Sequence, residues 1–346
     1  MPIKDIVLGL AAANGPSGAE GSASRLASEL LGDFAAVRRD AIGNVLAELG
    51  DKESKNHILL EAHIDEISLV VTSVGDDGFL KADRCGGVDR RVLPGAQVMI
   101  LGKKKLPGIV CCLPPHLTDP ENRELPGWDE IYIDAGLPGD RARELVPVGS
   151  RILPSVKSAE LLGGRVCAKA LDNRAGCAAL IRCVELLNSY NDPLPCRLSV
   201  VLSTGEEVAG GGAGCAAFGL NPTQAVCVDA GYGDQPNVDK EKSGQLGDGP
   251  MIGMYPVLDY KITRALCGLA DARGIPWQYD VGGGRTHTNA DDVSAAARGV
   301  PTALLSIPVR GMHTTAETAD LSDIEHTASL LAEFVKIGGL YHDKEA

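Results

Sequence analysis

The sequence predicts an α/β chain carrying a small β insert, on three observations. Helical and strand signals alternate over residues 1–67 and again over 161–346. Between them, over 68–160, short strand-like runs are broken by prolines and turn residues; nine of the 20 prolines fall from Pro94 to Pro154, with no helical period. With 346 residues, 44% of them hydrophobic, the chain exceeds the usual single core but has ample apolar material for a large domain plus an insert.

Ile3, Ile6, Val7 and Leu10 recur at helical spacing, and Leu26, Leu30 and Leu31 mark a second helix beyond the glycine and serine break at 15–23. AAVRRDAIGNVLAEL reads as a hairpin turning at Gly43-Asn44, and HILLEAH as a buried strand. In the insert, ISLVVTSVGDDGFLKADR alternates about a DDG turn and AQVMILGKKKLPGIVCCL gives two more short strands. LDNRAGCAALIRCVELLNSY then places Cys177, Leu180, Ile181, Val184 and Leu187 on one helical face, with Asp172 or Asn173 positioned to cap it. RLSVVLS, QAVCVD and PTALLSIPV are buried strands ending in polar residues, and SDIE at 322–325 is a capping box opening the last helix.

Composition excludes several classes. Thirty-three basic and 46 acidic residues give a net charge of −13, which argues against nucleic acid or an acidic membrane as partner. The ten cysteines are scattered, form no CxxC pair and in several cases sit at apolar periodic positions, so they are expected to be small buried hydrophobes in a reducing compartment. The N-terminus does not read as a secretory signal and no apolar run reaches membrane-spanning length, so a cytoplasmic location is expected.

In an α/β sheet, ligands collect beyond the carboxyl ends of the strands. Here His63 and Asp65 follow HILLEA, Glu206 and Glu207 follow RLSVVLS, Asp229 ends QAVCV, His313 follows PTALLSIPV, and Asp172 opens a helix. Taken singly, each has a plainer reading as a turn, cap or exposed loop acid. Converged, so many carboxylates need cations to neutralise them, and mixed histidine and carboxylate ligation suits zinc, cobalt or manganese. His57, His326 and His342 receive no role, Lys103–Lys105 reads as a solvated turn, and Cys111 and Cys112 as packing residues.

AHIDE, ALDNRAG, STGEEVAGGGA, VDAGYGD and IPVRGMHTTAE occur in the order typical of the family forty-two metallopeptidases, the tetrahedral aminopeptidases, some labelled endoglucanases. The resemblance spans nearly the whole chain. It implies a mixed-sheet α/β/α aminopeptidase domain (1–67 and 161–346), of the phosphorylase/hydrolase type, with an inserted β-barrel dimerisation domain (68–160). It also implies two divalent ions per subunit, zinc or cobalt first and manganese third. Asp172 would bridge them, Glu207 and His313 would complete one site, and His63 and Asp229 the other. Asp65, two residues past His63 in an extended segment, would orient that imidazole. Glu206, facing away from its neighbour Glu207, would take a proton from the attacking water and pass it to the leaving amine. The expected substrate is a short peptide, and the expected assembly a homo-oligomer of dimers building a tetrahedral dodecamer.

The segment GGGRTHTNADDV departs from the family pattern: Asn289 stands where an aspartate is usual, His287 is added nearby, and Gly311 replaces a common tyrosine. Substrate preference therefore does not transfer. Alternatives are deacylation of N-acyl amino acids by the same metals, or a glycosidase, which the 4% aromatic content and acids set beside histidines disfavour.

Overall fold

Two helices open the chain, α1 (Ile3–Ala12) and α2 (Gly21–Gly32), burying Ile3, Ile6, Val7 and Leu10 from one and Ala23, Ala27 and Leu31 from the other. The structure, a computed structural model, describes residues 1–117 and 125–341, so His342 lies outside the described residues. Strands β1 (Ala36–Arg39) and β2 (Val45–Gly50) form the hairpin. Its turn is held by Asp40, which accepts the backbone N–H groups of Ile42, Gly43 and Asn44, while Gly43 takes φ +101°, where a side chain would be strained. Strand β3 (His57–His63) is buried throughout, as a central strand with both faces covered must be.

The chain then builds a closed barrel from β4 (Ser68–Val74), β5 (Leu80–Cys85), β6 (Gln97–Leu101), β7 (Lys105–Val110), β8 (Tyr132–Asp134) and, after α3 (Gly139–Leu145), β9 (Arg151–Pro154). Its interior holds Leu69, Val71, Leu80, Ala82, Val98, Ile100, Ile133 and Ile152, the inward members of alternating strands.

The remaining elements are β10 (Ala159–Glu160), β11 (Arg165–Ala168), α4 (Leu171–Asn188), β12 (Arg197–Ser203), α5 (Gly212–Leu220), β13 (Gln224–Tyr232), β14 (Met251–Met254), α6 (Tyr260–Arg273), β15 (Gln278–Val281), α7 (Asn289–Ser294), β16 (Thr302–Arg310), β17 (Glu317–Asp320) and α8 (Leu321–Lys336). Among the described residues they make an eleven-stranded mixed sheet in the order β1-β2-β12-β3-β13-β16-β17-β11-β10, with β14 and β15 attached beside β16. Its centre, β12-β3-β13-β16, is parallel. Alternation sorts the two layers: Ile58, Leu60, Val200 and Leu202 face α1, α4 and α8, whereas Leu59 and Val201 face α5 and α7.

Two helix starts differ from the sequence expectation. Asp172 and Asn173 lie at non-helical φ/ψ inside α4, and of the two it is Asn173 that accepts a backbone N–H, from Gly176, so Asp172 is left for other contacts. At α8 the cap is Asp320, not Ser322: the carboxylate accepts Ser322 N–H and its hydroxyl, and Glu325 pairs with Arg182 instead of closing a capping box.

Candidate active site

Parallel register decides what meets at the sheet's carboxyl edge. Ser203 pairs with His63, so the loop after β12 lies against the loop after β3. There Asp65, fully buried, accepts the backbone N–H groups of Glu206 (3.1 Å) and Glu207 (3.2 Å) and the Ser17 hydroxyl (2.7 Å). One carboxylate thus fixes the turn that carries both glutamates. Asp65 Oδ1 also lies 3.5 Å from His63 Nδ1, and that nitrogen, buried, has no hydrogen bond of good geometry.

The other face of the ring is crowded with acids. His63 Nε2 is 3.2 Å from Asp172 Oδ1, 3.4 Å from Asp229 Oδ1 and 3.9 Å from Glu206 Oε2. His313 Nε2 is 3.2 Å from the other Asp172 oxygen and 3.4 Å from Glu207 Oε2. All seven residues singled out in the sequence therefore converge. His63–Asp172–Asp229 and Asp172–Glu207–His313 each bring their ligand atoms within 4.8 Å of one another, as does His63–Glu206–Glu207. The adjacent glutamates differ in burial, the Glu207 side chain 4% exposed and the Glu206 side chain 20%, and each keeps a carboxylate oxygen within 4.8 Å of a His63 ring nitrogen.

The electrostatics show what this arrangement lacks. Burial, reinforced by the neighbouring Asp229, Glu207 and Asp172, pushes the Glu206 carboxyl up to about 8 against the pull of His63. Burial likewise raises Glu207 and Asp229. For Asp172 the burial effect is outweighed by the two imidazoles, which hold it well below the usual carboxylate range. Hydrogen bonding to Asp172 and Glu207 lifts His313 to about 11. Each Nε2 faces at least two carboxylates, but a single N–H can serve only one of them, so the protein's own donors leave the pocket short of positive charge. Divalent cations fit this donor set of imidazole nitrogens and carboxylate oxygens.

Two acids that sequence reasoning passed over complete the site. Glu317, 2% exposed, accepts the backbone N–H of His313 at 2.9 Å and that of Asp172 at 2.9 Å, tying the two segments together; burial pushes its carboxyl up to about 8. It sits inside the motif IPVRGMHTTAE, four residues after His313, which takes φ +61°. Glu61, an acid in the middle of the apolar run HILLEAH, accepts Ser203 Oγ (2.6 Å) and Asn289 Nδ2 (2.8 Å) beneath the site. Asn289 is thus a buried structural partner. His287, at φ +58° with its N–H on Asp291, lines the cavity, about 310 Å³, that opens from the cluster.

The description of this family, M42 glutamyl aminopeptidase, fits residues 43–330. The chain belongs to the M42 glutamyl aminopeptidase family. It is an aminopeptidase and a hydrolase, similar over 314 residues to the lysyl aminopeptidase of Pyrococcus furiosus, at 31% identity covering 88% of each chain. An aminopeptidase from the archaeon Desulfurococcus kamchatkensis superposes with a TM-score of 0.89 at 29% identity, covering 97% of this chain and 94% of that one. The Pyrococcus horikoshii TET1 peptidase, described as assembling into a tetrahedron or a large octahedral shell, superposes at 0.86 with 29% identity, over 96% and 99% of the two chains. The mixed α/β sheet with a closed six-stranded barrel is the architecture this M42 aminopeptidase shares with them. Among the described residues no helix is long and apolar enough to cross a membrane.

Proposed function

We propose that this aminopeptidase removes N-terminal residues from short peptides with two divalent cations, one held by His63 and Asp229, the other by Glu207 and His313, with Asp172 shared. The observation that carries this reading is that the two imidazole Nε2 atoms lie on opposite oxygens of Asp172, each at 3.2 Å. Zinc or cobalt suits the donors best, with manganese third.

When bound, such cations polarise the scissile carbonyl and lower the pKa of an attacking water. The protein supplies the rest. Glu206, at the cavity wall with Oε2 3.9 Å from His63 Nε2, stands beside the cation ligands, where it would accept a proton from that water and return it to the leaving amine. Asp65 holds the backbone of 206 and 207 so that one glutamate faces the ions and the other the substrate. The same carboxylate lies 3.5 Å from His63 Nδ1, placed to favour a proton on that nitrogen, and Glu317 holds the Asp172 and His313 backbone as Asp65 holds that of 206 and 207.

The catalytic body is assigned to 1–67 and 161–346 and a dimerisation role to the insert, 68–160, supported by the exposed apolar residues Ile109, Leu113 and Tyr132 on the barrel. A tetrahedral dodecamer of such dimers draws on the tetrahedron described for the P. horikoshii relative and on the dodecamer described for PhTET1. Ten unpaired cysteines support a reducing, cytoplasmic setting. Neither N-acyl deacylation nor glycoside hydrolysis draws support from the family. The test is elemental analysis with a chelation series on leucine p-nitroanilide. About two transition-metal ions per chain and loss of hydrolysis on chelation are expected; metal-free protein with full activity, or hydrolysis of soluble cellulose instead, overturns the reading.

A further inference from the structure

The cavity of about 310 Å³ extends past the cation ligands along β13 and β16 to a floor that the chemistry above does not use. Its near wall is Ala230 and Gly231, directly after Asp229; a Cβ on Gly231 would lie 2.3 Å from the Met251 terminal methyl, so the glycine keeps this wall open. Met251, buried, supplies an apolar flank. At the floor stands Asp280, half-buried on β15. It accepts the Tyr255 hydroxyl on one oxygen (2.8 Å) and the Ser306 hydroxyl on the other (3.0 Å). Ser306 is the register partner of Asp229, so the hydroxyl that Asp280 accepts comes from the strand next to a cation ligand.

Two neutral hydroxyls orient Asp280 without discharging it. Among the described residues no lysine, arginine or histidine forms an ion pair with it. Burial together with the Asp280 carboxylate pushes the Tyr255 hydroxyl up, keeping it a donor. Lys242 also lines the cavity, but at the exposed mouth, on a mobile stem in high dielectric.

We propose that this cavity receives the side chain of the residue being removed and that Asp280 makes it selective for a basic one, lysine or arginine, whose methylenes run along Ala230, Gly231 and Met251. This rests on the aminopeptidase reading above and names its substrate class. A carboxylate entering instead would meet Asp280 in a half-buried site. At a separation of about 4 Å and an effective dielectric of about 20, that repulsion corresponds to roughly a thousandfold in affinity. An exposed ion pair with Lys242 recovers only about fivefold, so the floor outweighs the mouth.

The experiment is a kcat/KM panel of lysine, leucine and glutamate p-nitroanilides on metal-loaded enzyme, repeated with Asp280→Asn, which preserves both hydroxyl contacts in outline. Wild type is expected to favour lysine over leucine by about tenfold and over glutamate by a hundredfold or more. Asp280→Asn should lower lysine turnover by about 10- to 100-fold, mainly through KM, and leave leucine within threefold. Wild type favouring glutamate, or a variant that loses lysine and leucine alike, overturns the assignment while leaving the aminopeptidase intact. No hydrolysis of any of the three by metal-loaded enzyme removes the aminopeptidase reading and this one with it.

Discussion

Replacing Asn289 by aspartate, the residue the family pattern carries there, should unfold this particular chain more easily. In the structure Asn289 Nδ2 donates to Glu61 Oε1 at 2.8 Å and to Ser203 Oγ at 3.0 Å, all three residues buried. Asn289→Asp exchanges that donor for a second carboxylate in contact with the first, and two such groups cannot both ionise in a dry pocket. One must keep a proton. Holding a proton at pH 7 on a carboxyl that ionises near pH 4 in the unfolded chain takes about 1.4 kcal/mol per pH unit, about 4 kcal/mol in all. At pH 5 the same requirement falls to about 1.4 kcal/mol. The sign follows from linkage: burial already pushes Glu61 up to about 7, so its stabilising protonated form is complete below about pH 4 and is lost as pH rises through 7. The variant adds a second raised carboxyl and steepens that loss. At about 2 °C per kcal/mol for a chain of this length, the melting midpoint should fall by about 8 °C at pH 7 and by about 3 °C at pH 5. Differential scanning at fixed protein and metal concentration reads both values. Glu61→Gln combined with Asn289→Asp should recover most of the pH 7 loss. A single variant that melts like wild type at pH 7, or a double variant no better than the single, would show that residues 61 and 289 are not coupled through charge.

Glu206→Gln should lower kcat about a thousandfold while elemental analysis finds unchanged metal, because Glu206 is placed as proton carrier and not as ligand; an active variant removes it as base. Gly87→Ala would set a Cβ 2.5 Å from His313 Nδ1. Displacing that ring should reduce metal content and activity at least tenfold with a melting midpoint within about 2 °C of wild type, and unaltered metal content would contradict the placement of His313. Arg174, fully buried, donates to the Leu10 and Ala13 carbonyls and lies 3.5 Å from Glu66. Arg174→Ala strands those acceptors and should cost about 3 to 5 kcal/mol, seen as a midpoint lowered by at least about 6 °C.

Much of this fold is written in local signals. The Ile3–Leu10 stripe, the Gly43-Asn44 turn and the all-apolar β12 and β13 specify their elements through period and turn chemistry alone. The helix starts were less legible, because a cap is decided by competition for one donor. Asp320 captures the Ser322 N–H and hydroxyl that would have opened a capping box, and Asn173 takes the Gly176 N–H that Asp172 could have taken. Glu61 was visible as an acid in an apolar strand, yet its meaning needs Asn289, 228 residues later. Asp280 carries no local signature at all: its environment is assembled from β14, β15, β16 and the Tyr255 turn.

The convergence of the site residues has two causes of unequal legibility. For three of the five arms, topology suffices. Once β12, β3 and β13 are parallel neighbours, the register that pairs Ser203 with His63 and aligns β13 alongside forces Glu206, Glu207, His63 and Asp229 to one edge, whatever their side chains prefer. Any sequence reader who infers the strand order inherits that cluster. The His313 arm is different. It leaves β16 through Gly311 at φ +67°, takes φ +61° at His313 itself, and is tied to the rest of the site by the Glu317 carboxylate, which accepts His313 N–H on one oxygen and Asp172 N–H on the other. A bend of that kind is not implied by strand order. It depends on a buried acid whose protonated form, favoured by burial, loses one acceptor. The bridge between the two halves of the site therefore rests on Glu317, and its ionised form is favoured when positive charge occupies the cluster that Asp172 centres.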